Sequence, residues 1–170
     1  GLLANTACTV NVRFRPSSEG AKSATLNVSA MPGGSATVTM AGIGIPALTQ
    51  VVAGLAYTCV TNGTSDRGGL AWCWGKNDYG QLGDGTLSTR VSPTLVPGLE
   101  EVANVATGEE HTCAGQTDGS LFCWGDNDRG QLGVGDTTYR STPTLVSGLY
   151  GVKMVALGLT LSCAHLVDGT

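Results

Sequence analysis

Six cysteines and two histidines are the residues of this 170-residue chain best suited to chemistry. Cys59 and Cys73 flank one turn-like stretch, and Cys113 and Cys123 flank another. A sulfur bridge across each turn would join neighbouring strands of a hairpin, and closing a loop of ~10–15 residues in this way stabilises by ~2–3 kcal/mol. Structural zinc is the competing use, but it calls for closely spaced cysteine knuckles, and the sequence has none. Buried free thiols are the remaining alternative. Cys163 occupies the same place in a third stretch, with a partner expected beyond Thr170. Cys8 lies on the apolar side of a predicted strand, as a buried thiol or one paired upstream. Disulfides point to an oxidising compartment, so the expected location is extracellular or cell-surface.

The other candidates read as structure rather than chemistry. His111 precedes Thr112-Cys113, but Tyr57 and Leu161 stand in the corresponding places. A catalytic or metal-binding histidine would not tolerate leucine within one array, so packing or a backbone hydrogen bond is expected of it. Asp126-Asn-Asp128 and Asp84-Gly85 have a faint look of calcium loops. No bidentate glutamate follows, and Asn and Asp also build turns. Trp74 and Trp124 could stack on sugars, but are read as wedges filling the core. Glu100, Glu101, Glu109 and Glu110 read as a solvated acidic edge. Asn27-Val-Ser29 and Asn62-Gly-Thr64 are glycosylation triplets of a kind that chance supplies. No Ser/His/Asp set, carboxylate pair or phosphate-binding loop can be assembled. The expectation is a non-enzymatic chain with neither cofactor nor metal.

Composition sets the elements that would hold these residues. Gly (26) and Pro (6) are abundant, and charged residues make up only 13 %. The apolar fraction is 41 % and the mean hydropathy +0.11, enough for a core. Glu, Lys, Gln and Met are scarce beside Thr, Ser and Val, which favours strands and tight turns. No apolar run reaches the ~18–20 residues that cross a bilayer. The pI near 4.9 disfavours a partner bound through its phosphates, so no nucleic acid is expected. Residues 1–46 carry Arg13, Arg15 and Lys22 against Glu19, so the acidic excess lies wholly downstream.

Residues 7–46 alternate apolar and polar side chains with a period of two, in three runs: Cys8–Arg15, Ala24–Ala30 and Ala36–Met40. They predict three strands, separated by Pro16–Gly20 and Met31–Gly34. Downstream the chain repeats. Trp72–Val102 aligned with Phe122–Val152 is identical at 18 of 31 positions without a gap. The units run over about 50–102, 103–152 and 153–170, the last truncated, and the first carries a longer turn around Asn62–Gly68. Four short strand candidates recur per unit, near Thr58–Val60, Leu70–Trp74, Thr94–Val96 and Val102–Ala106. Such a period predicts propeller blades. The fold class is therefore all-β: about two and a half blades of four-stranded antiparallel sheet, preceded by three strands of a sandwich. The chain reads as a fragment, with the missing blades of the same chain as partners.

The motif Trp-Gly-x-Asn-x-x-Gly-Gln-Leu-Gly occurs at Trp74–Gly83 and at Trp124–Gly133. It resembles the repeat of the regulator-of-chromosome-condensation family, a seven-bladed β-propeller. Trp74, Gly75, Gly80, Gln81, Leu82 and Gly83, with Trp124, Gly125, Gly130, Gln131, Leu132 and Gly133, are its structural residues here. Gly54–Thr58 and Gly108–Thr112 match a further element of the repeat. Phe14-Arg-Pro16, Gly20, Ala24-Thr-Leu26 and Gly42-Ile-Gly44 resemble the end of an immunoglobulin-like domain of abnormal-spindle/Hydin type. The family resemblance implies binding functions that differ with the surface loops. Some eukaryotic members exchange guanine nucleotide on a small GTPase and bind nucleosomes, and some secreted bacterial members inhibit β-lactamases. The reading favoured at this point is a non-enzymatic protein-binding scaffold, part of a secreted or cell-surface bacterial protein. Its partner would be an unknown protein or surface ligand, met by Asn62–Gly69, Thr86–Ser92 and Asp136–Thr142. A guanine-nucleotide exchange factor or chromatin-binding regulator is the alternative.

Overall fold

The computed structural model describes residues 20–30, 34–44, 48–63 and 68–170, the first two stretches through backbone pairing alone. The chain divides into two compact units, Gly1–Ala47 and Leu48–Thr170. In the first, β1 (Gly20–Ala30) pairs antiparallel with β2 (Gly34–Gly44), from Gly20 opposite Gly44 to Ala30 opposite Gly34. Both strands are longer than the alternating runs that predicted them. The third predicted strand, Cys8–Arg15, lies outside the described residues.

The second unit is a succession of antiparallel meanders. β3 (Gln50–Ala53), β4 (Tyr57–Thr61), β5 (Ala71–Gly75) and β6 (Arg90–Leu95) form one four-stranded sheet in chain order. β7 (Val102–Thr107), β8 (His111–Gln116), β9 (Leu121–Gly125) and β10 (Arg140–Leu145) form the next. β11 (Val152–Leu157) and β12 (Ser162–Leu166) start a third. Val102–Ala106 was expected to close the first unit, but it is the leading strand of the second sheet. Gln50–Ala53 leads the first, and at four residues it is too short to have given an alternating signal. The fourth strands β6 and β10 lie at sheet edges and carry Pro93 and Pro143 beside a shift of register. An edge position tolerates the missing N–H of proline.

The cores lie between the sheets. One cluster joins Tyr57, Cys59, Ala71, Cys73 and Leu82 of the first repeat to Val105, Ala114 and Trp124 of the second. The other joins Cys113, Leu121, Cys123 and Leu132 to Val152 and Val155 of the third. Neither sheet therefore has a core of its own, as expected of a repeat whose apolar faces are buried by stacking.

The connection into β7 contains one strained residue. Glu101 has φ of +54°, and the residue one period later is Gly151, with φ of +69°. A Cβ in the left-handed region costs about 1–2 kcal/mol. Glu101→Gly should therefore raise the unfolding free energy by about 1 kcal/mol. Its carbonyl would still accept from the Thr117 N–H at 2.9 Å. Urea denaturation checks this, and an unchanged or lower midpoint would count against it.

Candidate functional site

The cysteines sit directly opposite one another across neighbouring strands, Cys59 facing Cys73 and Cys113 facing Cys123. Their Cα atoms are 4.2 and 4.1 Å apart, and both pairs are disulfide-bonded. All four are buried among the core residues. Cys163 is a free, exposed thiol. It pairs with Ala156 of β11, as Cys113 pairs with Ala106 and Cys59 with Val52. Cys8 lies outside the described residues.

The shared ten-residue motif forms the loop leaving the third strand, and a buried asparagine holds it closed. In the first repeat Asn77 Oδ1 accepts from the Leu82 N–H at 3.0 Å, while its amide donates to the Thr86 carbonyl at 3.0 Å and the Ser88 carbonyl at 3.2 Å. In the second, Asn127 accepts from Leu132 at 3.0 Å and donates to Asp136 at 2.9 Å and Thr138 at 3.0 Å. Only an amide can accept on one side and donate twice on the other, so the residue type follows from the loop's needs. Leu82 and Leu132 are each 1 % exposed, pinned beneath the loop. Gln81 and Gln131 bend back to accept the N–H groups of Tyr79 and Arg129 through their side chains. Gly75 and Gly125 leave the strand with φ of +113° and +102°. A Cβ on Gly125 would lie 2.5 Å from the Glu110 carbonyl, so only glycine fits there. Asn77 and Asn127 escaped the sequence reading as site residues, although their identical place in both motif copies was the signal that could have found them.

The same loop supplies the joint to the next sheet. The backbone carbonyl of Gln81 accepts from Trp124 Nε1 at 2.9 Å and from the Thr112 hydroxyl at 2.8 Å. One period on, the Gln131 carbonyl accepts from the Ser162 hydroxyl at 2.7 Å. Gly83 allows the approach, because a Cβ there would meet Trp124 Nε1 at 2.7 Å. Trp124 is fully buried, whereas Trp74 is half-buried and belongs to neither core cluster. Gly80, Gly130 and Gly133 all turn with positive φ.

Tyr57 and His111, one repeat apart, do equivalent work. The Tyr57 hydroxyl donates to the His111 carbonyl and lies 3.1 Å from the Thr112 hydroxyl. His111 Nε2 lies 3.0 Å from the Ser162 hydroxyl. Burial pushes the Tyr57 phenol far above its ordinary value, so it stays neutral. Leu161, in the third copy, is exposed.

Charges tie the loops down. Asp84 pairs with Arg90 at 2.6 Å, and Asp136 with Arg140 at 2.6 Å. The two arginines hold matching places in the repeat and the two aspartates do not, so the interaction is kept while its residue moves. Burial works against the charge of Asp84, but Thr86 and Arg90 together hold its carboxyl below its usual value. Arg140 and the Thr138 backbone do the same for Asp136. These aspartates are turn and ion-pair residues, and among the described residues no cluster of three or more side chains could hold a metal. Lys76 pairs with Glu110 across the two repeats. Glu110 is therefore more than a solvated edge. Asp126 stands where Lys76 does one repeat earlier and receives Gln131 Nε2 at 2.8 Å, whereas Gln81 Nε2 has no partner.

This arrangement can present loops. Thr86–Ser92 and Asp136–Thr142 leave adjacent sheets in equivalent places, and Gly85 N–H donates to the Ser141 carbonyl at 2.9 Å. Leu87 and Tyr139 are exposed upon them. The third predicted loop, Asn62–Gly69, is described only in part.

Residues 68–114 and 118–165 each match the regulator of chromosome condensation (RCC1) repeat, more than half of the chain, and residues 102–131 match a second description of that repeat. The chain belongs to the RCC1 repeat family. Human E3 ubiquitin-protein ligase HERC2 is 45 % identical over 51 residues, and human Protein RCC2 is 43 % identical over 55. The alignments cover 29 and 31 % of this chain but only 1 and 10 % of those proteins. Among solved structures, the chain superposes on Prp20p from Saccharomyces cerevisiae with a TM-score of 0.62 at 18 % identity, covering 76 % of this chain and 34 % of Prp20p. It superposes on human WBSCR16 with a TM-score of 0.60 at 27 % identity, covering 75 and 33 %. The chain thus spans about a third of the propellers it resembles.

These relatives overturn the expectation of a secreted or cell-surface bacterial protein. They are eukaryotic: HERC2 and RCC2 are human proteins, and Prp20p, whose structure is described with its binding to Gsp1p and histones, comes from Saccharomyces cerevisiae. The error lay in reading a compartment from cysteines. Two cysteines placed opposite each other in a buried hairpin are brought within bonding distance by strand register, so their pairing alone does not fix where the protein works.

Proposed function

We propose that the Leu48–Thr170 unit is part of an RCC1-type regulator that acts by binding other proteins, as a chromatin-binding or guanine-nucleotide exchange propeller does. The observation that supports it most is the pair of loops, Thr86–Ser92 and Asp136–Thr142, held by an identical asparagine clamp yet differing in sequence. Clamped backbone with variable side chains suits recognition, because little ordering remains to be done on binding. The acidic balance of the chain fits a basic partner such as a histone better than it fits DNA. Glu109, Asp126 and Asp128 follow strand ends on the clamp-loop side of the second sheet and would meet such a partner. The repeats that open at about residues 50, 102 and 152 are the units we assign to this propeller. The β1–β2 hairpin we assign to the end of an immunoglobulin-like sandwich, on the strength of the resemblance carried by Gly20, Ala24-Thr-Leu26 and Gly42-Ile-Gly44.

Titration of the chain with core histones tests the reading. Saturable binding is expected, weakening about tenfold or more between 50 and 200 mM salt because it rests on exposed charge. Asp128→Asn with Glu109→Gln should weaken it further. Absence of binding at low salt, or binding indifferent to both salt and the substitutions, would contradict the reading.

A further inference from the structure

His111 fills its place in the joint differently from Tyr57. Its ring is fully buried. The Ser162 hydroxyl has one proton, which it donates to the Gln131 carbonyl at 2.7 Å. It can therefore only accept from His111, whose Nε2 must carry the ring proton of the neutral imidazole. Nδ1 then keeps a bare lone pair, and it has no hydrogen-bond partner. A second proton, taken at Nδ1 from water, would place a cation in the buried seam.

Few charges are near enough to offset this. Asp126, from the loop after β9, is the group acting on the ring by charge, and its carboxylate is already engaged by Gln131 Nε2 and the Asp128 N–H. Glu110, next in the chain, is held by Lys76. Tyr57, from β4, is neutral. Gly158, Leu161 and Ser162, from the third repeat, carry no ionisable side chain. Burial lowers the affinity of His111 for a second proton, and this outweighs the opposing pull of Asp126 and of the Leu161 backbone.

We infer that His111 makes the joint between the second sheet and β11–β12 acid-labile, closed while the imidazole is neutral and weakened once it is protonated. The joint between the first and second sheets has a neutral phenol in the same place and is acid-stable. The sign follows from linkage. A histidine that resists protonation when folded leaves the joint at full strength above its ordinary value of ~6.5. The joint is then lost as pH falls below that value, by up to about tenfold in the closing equilibrium per pH unit. The device would let a mild drop in pH release one repeat from the next without unfolding the rest.

Amide hydrogen exchange at pH 7.5 and 5.5, corrected for the intrinsic rate of each amide, tests this. Protection in β11 and β12 should fall up to about tenfold at the lower pH, while that of Cys59 and Val60 in β4 stays unchanged. His111→Tyr, which copies the first joint, should abolish the fall. Ser162→Ala should weaken the joint at both pH values yet keep its pH dependence. An equal fall in wild type and His111→Tyr, or no fall in wild type, overturns the inference. Should His111→Tyr not fold, the ring resonances of His111 decide on their own. A titration midpoint below ~6.5 supports the inference and one at or above ~6.5 refutes it.

Discussion

Trp124→Ala should lower the unfolding free energy of the Leu48–Thr170 unit by about 3–5 kcal/mol, the range seen when a fully buried aromatic is truncated. Trp124 has no exposed surface, lies in the cluster shared by the first two repeats and donates to the Gln81 carbonyl. Truncation would open a cavity between sheets and leave that carbonyl with the Thr112 hydroxyl alone. Trp74, its counterpart one repeat earlier, is half-buried and outside both clusters, so Trp74→Ala should cost clearly less, about 1–2 kcal/mol. Urea denaturation followed by circular dichroism measures both. Equal losses would show that the difference in burial between the two copies is not what sets their contribution.

The second large effect is expected from Asn127→Asp, a change that keeps shape and alters only chemistry. At neutral pH the carboxylate could still accept from the Leu132 N–H. It could no longer donate to the Asp136 and Thr138 carbonyls, and would face both as a buried unpaired charge. Leaving such a charge uncompensated costs about 3–5 kcal/mol. The new carboxyl would be easier to protonate when folded than when unfolded. The loss should therefore shrink as pH falls, because the protonated acid can donate once. Urea midpoints at pH 7 and pH 4.5 check both the size and the sign. A loss under about 1 kcal/mol at pH 7 would mean that the loop does not depend on the clamp.

Much of this was legible because a repeat writes its structure twice. The period marked the sheets, the cysteines marked facing strand positions, and the Gly-Gln-Leu-Gly runs marked a turn that needs positive φ at Gly80 and Gly83. What stayed hidden depended on partners in the neighbouring copy. Nothing in Tyr57 or His111 announces that each reaches a hydroxyl more than fifty residues ahead. Nor does a sequence show that the Gln81 carbonyl, rather than its side chain, receives Trp124. Asp84 and Asp136 looked unrelated because they occupy different places, yet both hold the matching arginine. Val102–Ala106 was assigned to the wrong sheet because it comes fourth among the strand candidates of the first repeat, whereas its hydrogen bonding runs to β8. Location was misread because bonding geometry, set locally by register, was taken as a report on the compartment.

Native-state hydrogen exchange on Trp124→Ala tests the central claim, that consecutive repeats share their cores and stand or fall together. Trp124 belongs to the second repeat, but the core it fills belongs equally to the first. Protection at Cys59, Ala71 and Cys73 should fall about as much as at Cys113 and Cys123. Undisturbed protection in the first sheet beside a loosened second sheet would contradict the shared core, and with it the stacked scaffold on which the binding loops stand.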